Sequence, residues 1–129
     1  MNFSSLTSMF SPQASGPKLE TISGPSAVQF HGDADTVFVD VRGHGEVSAS
    51  GTIKGAIIAP LNEFTNHARP DGTGSLPASN SGKRIILVCA SGARSGAAGM
   101  QLIRMGYESV ANLSGGLGAW ARAGGPIAR

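Results

Sequence analysis

The amino-acid sequence predicts a single α/β domain built on an open, mainly parallel β-sheet with helices on both faces. Short β-branched and apolar runs alternate along the chain with segments of helical spacing, which is the pattern of successive βαβ units. Glycine, which favours tight turns and close backbone approaches, occurs 19 times. The 129 residues are 40% hydrophobic and 14% charged, so the chain can bury one core and is not disordered by composition.

The first elements follow a Ser- and Pro-rich segment. Residues 1–17 hold no charged side chain, and we expect a loosely attached N-terminal arm there, with the domain over residues 18–129. Residues 19–22 predict a short first strand. Ser23 is placed to cap a short helix that has Pro25 near its first turn.

The middle of the chain continues the alternation. Residues 36–41 (TVFVDV) are β-branched and aromatic, which predicts a buried strand, and a short helix around Glu46 follows. Residues 56–59 are another short apolar run, which ends at Pro60. Residues 61–67 predict one or two helical turns.

The second half begins with a long loop. Residues 68–82 are rich in Gly, Pro, Ser and Asn, which predicts a surface loop. Residues 84–88 (RIILV) form the strongest apolar strand, and residues 95–105 have helical spacing. A last strand over residues 109–113 and a last helix over residues 116–123 complete the pattern.

Charge and hydropathy exclude several classes of partner. The formal charge is +2, the basic residues are scattered and aromatic residues are few, so we expect no nucleic acid partner. No run of 18 apolar residues predicts a membrane span, and the N-terminus has no signal-peptide or transit-peptide pattern. The single cysteine cannot form an intrachain disulfide, so a cytoplasmic location is expected.

The segment after the strongest strand carries the candidate chemistry. Residues 88–95 (VCASGARS) join a buried strand to a helix, and ligands of parallel sheets bind at such strand ends. Backbone N–H groups of a tight loop and a helix start form an anion site, which would stabilise the thiolate of Cys89. Gly92 can adopt a positive φ, and Arg94 adds a cation able to bind an oxyanion in two places. A cysteine that merely ends a core strand lacks this context, so we interpret Cys89 as a reactive thiol.

Other polar and glycine-rich features give weaker signals. His31, His44 and His67 are dispersed, do not adjoin Cys89 in sequence and lack metal-ligand spacing, so we expect surface or loop histidines and no metal. The glycines of residues 115–118 lack the strand–loop–helix context of a nucleotide site, so a turn is preferred. Trp120 on the last helix is expected in the core.

Taken together and in order, the motifs from about residue 19 to residue 127 resemble the rhodanese (thiosulfate sulfurtransferase) domain family. The matching pieces are residues 39–42 (VDVR) with Glu46, residues 51–57 (GTIKGAI) with Pro60 and Leu61, and Cys89-x-x-Gly92-x-Arg94-Ser95. The C-terminal piece consists of Gly106, Tyr107, Val110, Leu113, Gly115, Gly116, Ala119 and Trp120. Thr52 stands where many relatives have His, and Ile58 where many have Asn. Both departures lie outside the loop after the RIILV strand and bear on local turn packing.

The resemblance implies a central parallel sheet of about five strands and a sulfurtransferase that carries sulfur as a persulfide on Cys89. The candidate substrate-binding residues are Ala90, Ser91, Gly92, Ala93, Arg94, Ser95 and Arg42. Asp40 and Glu46 are favoured as structural supports, because Asp40 can accept turn N–H groups and Arg42 can pair with Glu46. For Arg42 the sequence supports two roles equally, pairing with Glu46 and binding of the donor.

The expected donor is a small anion such as thiosulfate, and the expected acceptor is an external thiol or cyanide, with no cofactor and no membrane partner. Two alternatives remain open. Phosphatases and arsenate reductases of similar fold use a Cys-x5-Arg loop, whereas four residues separate Cys89 from Arg94 here. The other alternative is a sulfur-relay or regulatory module that acts with a protein partner and turns over little thiosulfate.

Overall fold

A computed structural model describes residues 18–129, so the predicted arm of residues 1–17 lies outside the described residues. The strands are β1 (Glu20–Ile22), β2 (Thr36–Asp40), β3 (Thr52–Ile53), β4 (Ile57–Ile58), β5 (Arg84–Val88), β6 (Val110–Leu113) and β7 (Ile127–Ala128). The helices are α1 (Gly24–Val28), α2 (His44–Ser50), α3 (Phe64–His67), α4 (Ala93–Arg104) and α5 (Gly116–Arg122), with a 3-10 turn at Leu61–Glu63 before α3. The predicted helices and strands are found, with ends that differ by at most two residues.

Five of the strands form one parallel sheet in the order β1-β6-β5-β2-β4. This confirms the predicted mainly parallel sheet of about five strands. The strand β5 is central and has four buried residues out of five, as its apolar sequence predicts. Because all five strands run the same way, their carboxyl ends share one edge of the sheet, and the residues after β5 and β2 lie there side by side.

Helices cover both faces of this sheet, as predicted. On one face Leu87 belongs to a buried cluster with Phe64 of α3 and Leu102 of α4. On the other face Val88 belongs to a cluster with Trp120 of α5. Trp120 is fully buried, which confirms its predicted core position, and its Nε1–H donates to the Pro126 carbonyl at 3.0 Å.

A second, two-stranded sheet was not predicted. The strands β3 and β7 pair antiparallel, and the Lys54 N–H donates to the Pro126 carbonyl at 3.1 Å beside them. Two-residue strands have no readable periodicity, so only the tertiary structure reveals this pair. The pairing holds the segment around Thr52 beside the end of β2, which matters for the polar cluster described below.

Local capping explains where the short helix α1 begins. Ser23 has an extended backbone conformation, and its Oγ accepts a hydrogen bond from the Ser26 N–H at 3.2 Å, with Pro25 in the first turn.

None of the helices in residues 18–129 has the length and apolar character that a bilayer crossing requires.

Candidate active site

The side chain of Cys89 lies at the carboxyl end of the central strand, in the loop that leads to α4. Its sulfur accepts a hydrogen bond from the Gly92 N–H at 3.0 Å and from the Ser95 N–H at 3.4 Å. The Ser95 Oγ is 3.3 Å from the same sulfur. Cys89 is only 1% exposed, yet these donors surround its sulfur, so it differs from an apolar cysteine in a core.

The backbone of this loop can curl around one atom because of glycines in it and against it. Gly92 has φ +114°, in the left-handed region that other residues avoid. A Cβ on Gly116 would collide with the Ala90 carbonyl, so only glycine allows the start of α5 to pack there. The Leu117 N–H donates to the Cys89 carbonyl at 2.9 Å. The glycine pair predicted as a turn therefore supports the loop from outside.

The surroundings of Cys89 lower the pKa of its thiol below the ordinary value. Burial acts in the opposite direction and raises the pKa, since a buried charge is poorly solvated. The Ser95 hydroxyl and the N–H groups of Ser95, Gly92 and Ser91 stabilise the thiolate, and together they outweigh burial. Through its backbone or its hydroxyl, each of these three predicted residues acts on the sulfur.

Arg94 lies at the rim of the loop and forms a two-point ion pair that the sequence did not predict. Its Nη1 and Nη2 donate to the two carboxylate oxygens of Glu46 at 2.6 and 3.0 Å. The hydrogen bond from Arg94, with a second from the Gly43 N–H, lowers the pKa of Glu46 to about 2. Glu46 thus joins the start of α2 to the loop, and the Arg94 fork faces a carboxylate.

Asp40 and Arg42 form a buried polar cluster at the end of the neighbouring strand β2. The Asp40 carboxylate accepts from the Arg42 N–H at 2.9 Å, from the Arg42 guanidinium Nη2 at 2.8 Å and from the Thr52 Oγ1 at 2.6 Å. Arg42 also donates to the Ser50 Oγ at 2.9 Å and to the Gly51 carbonyl. Thr52 stands where many relatives have His, and its hydroxyl stabilises this turn by donating to Asp40.

The predicted pairing of Arg42 with Glu46 is wrong. Arg42 is only 4% exposed and pairs with the fully buried Asp40, whereas Glu46 pairs with Arg94. A buried guanidinium is stabilised by a carboxylate within hydrogen-bond distance, and the Asp40 Oδ2 lies 2.8 Å from the Arg42 Nη2. The structural role of Asp40 fits this arrangement, and the donor-binding role of Arg42 stays a prediction.

Sequence reasoning missed Asn112, a half-buried residue of β6 between β1 and β5. The Ser95 Oγ lies 2.6 Å from the Asn112 Oδ1, and the Asn112 Nδ2 donates to the Gly92 carbonyl at 3.0 Å. The signal was present in the sequence, because an amide interrupts the apolar strand VANL, and a polar residue in such a strand needs partners.

The three histidines are not hydrogen-bond partners of Cys89 in the described part of the chain. His31 packs edge-on against Trp120, with ring centroids 5.6 Å apart. His44 and His67 each place Nε2 3.1 Å from the same oxygen of Glu63. Within residues 18–129, no group of three or more His, Cys, Asp or Glu side chains is arranged to hold a metal ion.

Comparisons with known proteins agree with this geometry. A family model described as the rhodanese-like domain matches residues 26–123. A protein of Allochromatium vinosum named as a sulfurtransferase is 38% identical over 93 residues, which span 72% of this chain and 78% of that protein.

Solved structures with the same fold include a protein of Rhodopseudomonas palustris, described as of unknown function and a possible tyrosine phosphatase. It is 33% identical, has a TM-score of 0.76 and is matched over 85% of both chains. A rhodanese-like domain protein from Staphylococcus aureus is 27% identical, with a TM-score of 0.66, over 86% of this chain and all of that one.

Proposed function

This chain belongs to the rhodanese-like domain family, and from that premise we propose that it moves a sulfane sulfur from thiosulfate or a similar donor to cyanide or a thiol acceptor through a persulfide on Cys89. Sulfur transfer as the general activity is supported by the family and by the relative named as a sulfurtransferase. The observation that carries the proposal is the set of donors that converge on one sulfur, from Gly92 and Ser95.

In the first half-reaction the Cys89 thiolate attacks the outer sulfur of thiosulfate. A new S–S bond forms, the S–S bond within thiosulfate breaks, and sulfite leaves with its electron pair. The enzyme then carries a persulfide anion, so charge is conserved. The donors around Cys89 favour this step because they lower the pKa of its thiol and so increase the fraction present as the attacking thiolate.

The outer sulfur of the persulfide also needs donors. Among residues 18–129, no hydrogen bond uses the N–H groups of Ala93 and Arg94 in the first turn of α4. A helix start has a partial positive charge, so these groups are suited to stabilise the terminal sulfur.

In the second half-reaction an external nucleophile attacks the outer sulfur, and the bond between the two sulfurs breaks. With cyanide the product is thiocyanate, and the Cys89 thiolate is restored. Cys89 is the only cysteine in this sequence, so the persulfide cannot be discharged as an internal disulfide. The acceptor must come from outside, as in other two-step covalent mechanisms.

Arg94 is the cation proposed to bind the donor's sulfonate group. Because its fork faces Glu46, an anionic donor has to take the place of that carboxylate. The pair is well exposed on both sides, and water and salt screen exposed ion pairs, so an anionic donor can displace Glu46 at little cost. A cavity of about 380 Å³ lies beside this ion pair, lined in part by Glu46 and Arg94.

A phosphatase is the first alternative, and the printed description of the Rhodopseudomonas palustris protein raises it. A phosphate needs a loop wide enough to surround a tetrahedral oxyanion. Here only four residues separate Cys89 from Arg94, and the donors meet at a single sulfur atom. Robust hydrolysis of an aryl phosphate without sulfur transfer would reverse this preference.

A sulfur-relay module is the second alternative. The donors that converge on the Cys89 sulfur would stabilise a persulfide received from a partner protein as well as one formed from thiosulfate. Negligible thiosulfate:cyanide activity in both wild type and Cys89→Ser, together with persulfide transfer from a desulfurase to the wild type alone, would establish this reading.

The decisive experiment is mass spectrometry of the protein after treatment with thiosulfate. We expect a gain of one sulfur atom, mapped to Cys89, that cyanide removes with stoichiometric formation of thiocyanate. Cys89→Ser is the matched control and should stay unmodified. A wild-type thiol that remains unmodified with thiosulfate and with other sulfane donors would overturn the proposal.

A further inference from the structure

The side chain of Asn112 joins the two ends of the loop that surrounds the sulfur. At one end its Nδ2 donates to the carbonyl of Gly92, the residue whose N–H binds Cys89. At the other end its Oδ1 lies 2.6 Å from the Ser95 Oγ, and Ser95 donates its N–H to Cys89. Asn112 therefore contacts two of the residues that stabilise the sulfur, Gly92 and Ser95, while the sulfur is not among its own hydrogen-bond partners.

The amide has only one orientation that satisfies both contacts. A carbonyl such as that of Gly92 can only accept, so the amide nitrogen must face it and the amide oxygen must face Ser95. The Ser95 hydroxyl has a single proton and two neighbours that can accept it, the Asn112 Oδ1 at 2.6 Å and the Cys89 sulfur at 3.3 Å. The shorter contact is the one with Asn112, so the amide anchors the Ser95 side chain while the Ser95 N–H points at the sulfur.

The first turn of α4 leaves space for this amide because it contains a second glycine, Gly96. A Cβ added at Gly96 would lie 3.2 Å from the Asn112 Nδ2, closer than side chains normally pack. Asn112 itself stands on a strand held on both sides, paired with Thr21 of β1 and with Leu87 of β5. A rigid strand and two glycines in the facing segment therefore fix the amide at this point.

We propose that Asn112 is a positioning residue for the nucleophile: its amide ties Gly92 to Ser95 and so holds the N–H groups of both residues on the Cys89 sulfur. This rests on the proposed use of Cys89 as the nucleophile. The role needs no contact between Asn112 and substrate. Its loss weakens the donors around the sulfur, so the thiolate forms at higher pH and sulfur loading slows at neutral pH.

The test is the pH dependence of Cys89 alkylation by iodoacetamide, which reports the thiolate without requiring sulfur transfer. For Asn112→Ala we expect the midpoint to move upward and the alkylation rate at neutral pH to fall about tenfold. Asn112→Asp keeps the size of the side chain, faces the Gly92 carbonyl with an oxygen and adds a negative charge, so a larger upward movement is expected. Asn80→Ala, in an exposed loop before β5, is the matched control and should give the wild-type midpoint.

A double-mutant cycle separates positioning from general loosening of the domain. If Asn112 acts partly through Ser95, then Asn112→Ala and Ser95→Ala together raise the midpoint by less than the sum of their separate effects. Circular dichroism checks that each variant is folded, and Asn112→Asp serves if the alanine variant is not. A wild-type midpoint in both folded Asn112 variants, or strict additivity with Ser95→Ala, would overturn the proposal. Loss of sulfur loading in the wild type would overturn only the proposed function, because alkylation is measured without a donor.

Discussion

Two arginines at the same edge of the sheet meet carboxylates, yet their surroundings differ in almost every other respect. Arg42 follows β2 and belongs to a buried cluster with Asp40 and Thr52, in which each charged group is met by protein partners. Arg94 follows the loop after β5, and its ion pair with Glu46 is well exposed. Beside it, backbone donors converge on the Cys89 sulfur.

The comparison teaches that charged residue types do not by themselves identify a site. The Asp40–Arg42 cluster is closed, because its donors and acceptors satisfy one another and little of it reaches solvent. The donors of residues 89–95 converge on one sulfur, and we propose that the rim cation Arg94 exchanges Glu46 for an anionic donor. We therefore expect substitutions in the cluster to affect stability and substitutions in the loop to affect sulfur transfer.

Cys89→Ser should have the largest effect, on sulfur transfer and not on stability. Serine is close in size and keeps the contacts of the loop, but its hydroxyl is not ionised at neutral pH and cannot form a persulfide. We expect sulfur transfer to fall to background while the free energy of unfolding stays within about 1 kcal/mol of wild type. Thiocyanate formation and urea unfolding measure the two quantities. Residual turnover in this variant would contradict the role of Cys89 as the sulfur carrier.

Arg42→Leu should have the opposite profile. It leaves the Asp40 carboxylate buried without its counter-ion, which typically costs about 3–5 kcal/mol of stability. Urea unfolding should show this loss, and Arg104→Leu, at an exposed position of α4, is the matched control. The double variant Asp40→Asn/Arg42→Leu should recover part of the loss. A stable Arg42→Leu variant with impaired donor binding would instead assign Arg42 to the site.

Arg94→Met should change donor binding more than stability. The variant loses the proposed contact with the sulfonate group, and charge-assisted hydrogen bonds contribute about 1.5–3 kcal/mol. We expect the half-saturating thiosulfate concentration for Cys89 persulfide formation to rise about tenfold, with a small change in unfolding. An unchanged half-saturating thiosulfate concentration would show that Arg94 does not bind the donor.

Glu46→Gln should have the smallest effect, and in the opposite direction. The amide competes less well than a carboxylate for the Arg94 fork, so thiosulfate binds more readily. Since exposed ion pairs are weak, the half-saturating thiosulfate concentration should fall about two- to fivefold. Glu108→Gln removes the same charge at an exposed position before β6 and should match wild type. A rise in Glu46→Gln would mean that Glu46 positions Arg94 for the donor.

The sequence predicted the main sheet and its helices because their signals are local. The apolar run of β5, the Ser23 cap and the change from strand to helical spacing can each be read within a few residues. The β3–β7 pair could not be predicted, since each strand has two residues and its partner lies far along the chain.

The candidate site was predicted in part for the same reason. The loop after β5 is continuous in sequence, so its glycine, arginine and helix start could be recognised together. The ion pair of Glu46 with Arg94 joins residues 48 positions apart, and no local sequence pattern indicates it. Asn112 lies on another strand, and only the order of strands in the sheet brings it to the loop.

The central claim is that the donors around Cys89 lower the pKa of its thiol in spite of burial, and the most direct test is the pH profile of Cys89 alkylation in folded and in urea-unfolded protein. Since the pKa of Cys89 is lowered in the folded protein, its thiolate should form at lower pH than in the unfolded chain. The account predicts a folded midpoint below the unfolded one, which should lie near the ordinary thiol value of about 8.5. A folded midpoint at or above the unfolded one would contradict it.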